Sequence, residues 1–129
     1  MATTTNTVTL NANSAPAAVY EDERYVPFTY ILTGLLADAQ YTVKLHFAET
    51  YWTGAGERIF SVTLNGKYVL NDLDVFKTAG GENIAYDPQF AANADKYGQI
   101  IAQFIYGGAD QPFINGIELV QSEIGRAHV

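Results

Sequence analysis

Cysteine is absent from the 129 residues, histidine occurs twice, and lysine and arginine together number seven. Each scarcity removes a class of function. Without cysteine there is no disulfide framework, and the chain carries no signal about redox compartment. Of the two histidines, only His46 lies outside the final residues, so a zinc site or a Ser-His-Asp triad lacks partners. Fourteen acidic residues against seven basic ones give a net charge of -7, which repels phosphate backbones and anionic membrane surfaces. Neither nucleic acid nor a membrane is an expected partner. No apolar run approaches the roughly 20 residues of a membrane span. There is no G-x-S-x-G nucleophile elbow, no phosphate loop and no repeat period. The opening residues, MATTTNTVTL, lack the basic and apolar regions of a secretory signal. No cofactor or metal is expected.

What is present is aromatic: nine tyrosines, seven phenylalanines and a single tryptophan. A chain of 129 residues forms one domain and removes roughly two-thirds of its unfolded surface from water, so it needs no metal or disulfide to fold. Tyr41, Val43, Leu45 and Phe47 alternate with Thr42, Lys44 and His46, the period of a half-buried strand with the core under the first set. Strands are expected over residues 7–10, 28–32, 41–47, 58–64, 67–70, 99–106 and 113–120, with another inside 83–90 interrupted by Pro88. Asn65-Gly66 marks a two-residue hairpin, and residues 72–81 are expected as a loop. The run QIIAQFIY at 99–106, apolar on both faces in places, belongs near the middle of a sheet. Seven or eight short strands without an amphipathic helix predict an all-β fold, an antiparallel β-sandwich of jelly-roll or lectin-like form. Residues 1–18 read as an N-terminal strand and connector, and 19–121 as the domain. Residues 122–129 form a tail that matches the translation of a short DNA adapter and is set apart from fold reasoning.

The loop after Glu49 carries Tyr51 and Trp52, then Thr53-Gly54-Ala55-Gly56, too glycine-rich to continue a strand and too aromatic for an ordinary solvated turn. Either the rings are displayed for a ligand with flat apolar faces, or the loop folds back and buries them. Asp110, before Gln111-Pro112, either initiates a turn by bonding its own backbone or accepts from a ligand. Tyr25, beside an acidic run, is open to both readings as well. Glu49 and Arg24 are expected to pair across neighbouring strands and pin the base of the site. Carboxylates at Glu49, Glu57, Asp72, Asp74, Asp110 and Glu118 could supply a glycosidase pair about 5–10 Å apart. Fourteen acids make chance pairs common, so this is the weaker reading. Asp72-Leu73-Asp74 lacks the spacing of a calcium loop and reads as a strand edge.

Four ordered blocks, VYEDERY at 19–25, YTVKLHFAETYW at 41–52, GERIFSVTLNGKYVLNDLDVFKTAGG at 56–81 and DQPFINGIELV at 110–120, resemble the malectin family of carbohydrate-binding domains. The resemblance implies a β-sandwich without catalysis, with loops at one end binding glucose-containing or related oligosaccharides. It also implies a setting outside the cytoplasm and, in bacteria, attachment to glycoside hydrolases or other domains of a longer chain. Matched residue by residue, the binding side chains would be Tyr25, Tyr51, Trp52 and Asp110, with Arg24 and Glu49 behind them. Trp52 stands where some members have phenylalanine, which keeps a stacking face and adds an N–H donor. The family's further N-terminal strand and binding aromatic are expected to be missing or replaced by residues 1–16.

A pyranose presents C–H faces and a rim of hydroxyls, so it requires a ring platform and polar atoms at the edge. An aromatic contact contributes about 0.5–1.5 kcal/mol beyond area burial, and a hydrogen bond to a carboxylate about 1.5–3 kcal/mol. Set against association costs, these give dissociation constants on the order of micromolar to millimolar. Relatives in receptor ectodomains recognise peptides, so peptide recognition or domain docking is the alternative.

Overall fold

The computed structural model describes residues 6–11 and 17–21 as backbone and residues 28–122 in full. Nine strands run through them: β1 (Asn6–Asn11), β2 (Ala17–Glu21), β3 (Phe28–Thr33), β4 (Gln40–His46), β5 (Ile59–Leu64), β6 (Lys67–Leu73), β7 (Gln89–Asn93), β8 (Ile100–Ala109) and β9 (Gly116–Gln121). They form a five-stranded sheet of order β1-β3-β8-β5-β6 and a four-stranded sheet of order β2-β9-β4-β7. Every pairing among them is antiparallel except that of β1 beside β3, which is parallel with Asn6 opposite Phe28.

The alternation expected of β4 is realised. Tyr41, Val43, Leu45 and Phe47 are buried, and the register sets Val43 against Phe90 on one side and Leu119 on the other. From the facing sheet come Phe28, Tyr30 and Leu32 of β3, Phe60, Val62 and Leu64 of β5, and Ile100, Ala102 and Phe104 of β8. Burying each large apolar side chain contributes about 1.5–3 kcal/mol, so this interlayer holds the sandwich shut. β8 lies at the centre of the larger sheet, as its two-faced apolar run predicts.

Three local expectations are corrected. Residues 17–21, which straddle the expected connector and domain start and where no strand is expected, pair with β9 as a strand, with Val19 opposite Glu118; the alanine-rich segment has little propensity of its own, and its neighbour decides. The strand expected within 83–90 starts only after Pro88, whose missing N–H cannot join a ladder. Before it, Tyr86 makes a single bridge to Phe47. Residues 75–79, expected as loop, form a short helix α1 (Val75–Ala79), with Asp74 accepting from the Lys77 N–H at its start and Gly80 at φ 98° closing its end. Five residues are too few to show a helical period in sequence. Among the described residues no helix is long and apolar enough to cross a membrane.

Asn65-Gly66 closes the β5–β6 hairpin with φ of 52° and 82°, the two positive values a tight hairpin turn demands. At the opposite end of β5 and β8, the register shifts between Ile59 and Phe60, so Ile59 faces Ala109 while Phe60 faces Tyr106. Gly107 sits in this irregularity, where an added Cβ would lie 2.6 Å from the Ile59 carbonyl oxygen. The close approach carries the end of β8 toward the loop that follows β4.

Candidate functional site

That loop is anchored from below. Beyond β4, the Ala48 N–H donates to Asn115 Oδ1 at 2.8 Å, which fixes the chain just before Glu49. Phe47, Phe60 and Phe113 form a three-ring floor with centroids 5.6–5.8 Å apart. Over that floor, Arg58 holds its guanidinium carbon 4.7 Å from the centroid of Phe113, an arrangement favourable for a cation on a ring face.

Glu49 and Arg58 form a buried ion pair, with side chains 2% and 4% exposed. Arg58 Nε donates to Glu49 Oε1 at 2.8 Å and Nη2 to Oε2 at 3.3 Å. The same Oε2 accepts from the backbone N–H groups of Tyr51, at 3.3 Å, and Trp52, at 3.2 Å. Arg58 Nη1 donates to the carbonyl of Gln111 at 2.7 Å, and Nη2 lies 3.7 Å from Asp110 Oδ2. One buried pair thus holds the aromatic loop on one side and the loop after β8 on the other. A buried ion pair is a poor net source of stability, but removing one partner strands a charge and costs about 3–5 kcal/mol. The arrangement therefore locks a geometry.

Above the pair, Trp52 Nε1 donates to Asp110 Oδ2 at 2.6 Å. The other carboxylate oxygen of Asp110 accepts from the Gln111 N–H at 2.8 Å, and its backbone adopts φ 50°. The turn role and the site role of Asp110 coexist in one side chain. Tyr51 is 68% exposed and packs edge to face with the half-buried Trp52, with centroids 4.8 Å apart and planes at 86°. Neither ring is sealed in the core. Thr50, Tyr51, Trp52, Arg58 and Asp110 line a cleft of about 510 Å³. Two other surface clefts are of comparable size, about 540 Å³ beside the β5–β6 hairpin and about 680 Å³ between Gly56 and α1. Volume does not distinguish the three; the convergence of rings and charge does.

Of the residues singled out in sequence, Tyr51, Trp52, Asp110 and Glu49 come together, while Tyr25 and Arg24 lie outside the described residues. Glu49, expected opposite Arg24, is met by Arg58. Arg58 was the omission. It shares the inward parity of Phe60, Val62 and Leu64, and an arginine on that face requires a buried acid. Elsewhere, Asp72 is the next-to-last residue of β6, and Asp74 caps α1 while accepting from the Gly56 N–H at 2.6 Å. His46 lies between Asp87, 2.7 Å from Nδ1, and Glu118, 3.4 Å from Nε2. Among the described residues no group of three or more histidine, aspartate and glutamate side chains is placed to hold a metal ion.

Two stacked sheets with a ring-lined cleft in the loops at one end define a β-sandwich domain. The chain belongs to the Malectin domain family, whose model matches residues 2–117. It is 25% identical to human malectin over 128 residues, covering 89% of this chain and 44% of that protein, so it spans less than half of the relative it matches. Among solved structures, one of the plant peptide RALF23 in complex with FER and LLG2 is similar, with a TM-score of 0.66 at 19% identity over 74% of this chain and 27% of that one. A segment of Bacteroides uniformis beta-glucuronidase aligns with a TM-score of 0.57 at 25% identity, covering 66% of this chain and 9% of the other.

Proposed function

We propose that this chain is a non-catalytic carbohydrate-binding module that takes oligosaccharides, glucose-containing ones among them, in the cleft beside Trp52. Tyr51 and Trp52 supply ring faces for the C–H surface of a pyranose, and Asp110 accepts from its rim hydroxyls; Tyr25 is a further platform. The observation that carries this reading is the 2.6 Å contact between Trp52 Nε1 and Asp110 Oδ2, which puts a stacking surface and a carboxylate within one sugar's reach. Family membership supports it. A binding role without hydrolysis is supported by the engagement of Glu49: both its oxygens are occupied by Arg58 and backbone N–H groups, which leaves it unsuited to acid or nucleophile work. In a longer parent chain such a module would hold a neighbouring domain, such as a glycoside hydrolase, near its polysaccharide.

Peptide recognition is the competing reading, since a chain of this fold was solved in a complex that contains a peptide. A glycan array followed by calorimetry tests the two. Expected are dissociation constants on the order of micromolar to millimolar, weakened about tenfold or more by Trp52→Ala at little cost in melting temperature. A protein that ignores every glycan but captures a peptide would replace the carbohydrate reading.

A further inference from the structure

We propose that the cleft selects its sugar by charge, favouring a pyranose that carries an ammonium group and rejecting one that carries a carboxylate or sulfate. The inference rests on the carbohydrate reading above. Among the described residues, two charged side chains line the cleft, Arg58 and Asp110, with Glu49 buried beneath them, and the guanidinium is already engaged. Arg58 is 4% exposed. It gives Nε to Glu49 Oε1 at 2.8 Å, Nη1 to the Gln111 carbonyl at 2.7 Å and Nη2 to Glu49 Oε2 at 3.3 Å, with Asp110 Oδ2 at 3.7 Å. With 4% of its side chain exposed against 31% for Asp110, the guanidinium offers an incoming anion far less surface than the carboxylate beside it, and drawing it outward would weaken a pair whose loss strands a buried charge.

Glu49 and Arg58 cancel. What remains for a ligand is the carboxylate of Asp110, with a side chain 31% exposed. Its Oδ2 takes the indole N–H of Trp52 and lies 3.7 Å from Arg58 Nη2, while its Oδ1 takes the N–H of Gln111 and keeps a second acceptor direction. The exposed face of Tyr51 stands in the same cleft. A carboxylate beside a ring face is the chemistry that holds an ammonium group, by ion pairing and by attraction to the ring's negative face. A uronate or sulfated sugar brings like charge and no donor at that group. The net charge of -7 on the whole chain acts in the same direction.

The test is calorimetry with three ligands of one length and linkage: a neutral glucose oligosaccharide, its 2-amino-2-deoxy counterpart and its uronic acid counterpart. A buffer of about pH 6 keeps the amine protonated. The amino sugar is expected to bind about two- to fivefold more tightly than the neutral one, and the uronate about tenfold or more weakly. Both ratios should contract in about 1 M salt and in Asp110→Asn, each variant being compared with its own neutral ligand. Equal affinities for all three, or a preference for the uronate, would overturn charge selection while leaving the carbohydrate reading in place. If no member of the series binds, the carbohydrate reading fails and this inference fails with it.

Discussion

The two ends of the larger sheet close in different ways. At one end, β5 and β6 are joined by Asn65-Gly66, a two-residue turn tied by neutral hydrogen bonds: Asn65 Nδ2 to the Asn93 carbonyl at 2.8 Å, and the Ile101 N–H to Asn65 Oδ1 at 2.8 Å. At the other end, two longer loops are held together by Glu49, Arg58, Asp110 and Trp52, with a contact between residues 58 apart in sequence. A short turn specifies itself through backbone geometry. Loops that must display rings to solvent cannot bury those rings for stability, so their positions are fixed by charge placed beneath them.

The sharpest way to break this contrast is Glu49→Ala, which leaves Arg58 buried without its carboxylate and frees the backbone of Tyr51 and Trp52. The expected loss is about 3–5 kcal/mol, read from urea unfolding; a loss below about 1 kcal/mol would show that the pair does not hold the loops. Next comes Gly107→Ala, whose new methyl meets the Ile59 carbonyl 2.6 Å away. It should cost about 1–3 kcal/mol and disturb glycan binding through the displaced Asp110 loop. Gly66→Ala at the quiet end, where φ is 82°, should cost about 1–2 kcal/mol and leave glycan affinity unchanged. A change in affinity there would mean that the two ends communicate.

Much of the sandwich was legible because its cause is local. The alternation from Tyr41 to Phe47, the Asn65-Gly66 dipeptide and the apolar run of β8 each state their structure within a few residues. β2 was not legible, since its pairing with β9 comes from a partner about a hundred residues away. The helix at residues 75–79 was missed because its caps, Asp74 and Gly80, are readable only as a pair. In the site, the ring pair and Asp110 stood out by residue type and by resemblance. Arg58 did not, because its importance lies in being enclosed, and enclosure follows from strand parity and from an acid nine positions back.

Trp52 is the sole indole in the chain, and its N–H rests on a carboxylate at the mouth of the cleft. The ultraviolet emission of the unlabelled molecule is therefore dominated by a chromophore at this one place. A sugar that displaces water from the ring, or draws Asp110 away from it, will register as a change in colour or brightness, and a titration in an ordinary fluorimeter becomes a map of what the cleft accepts.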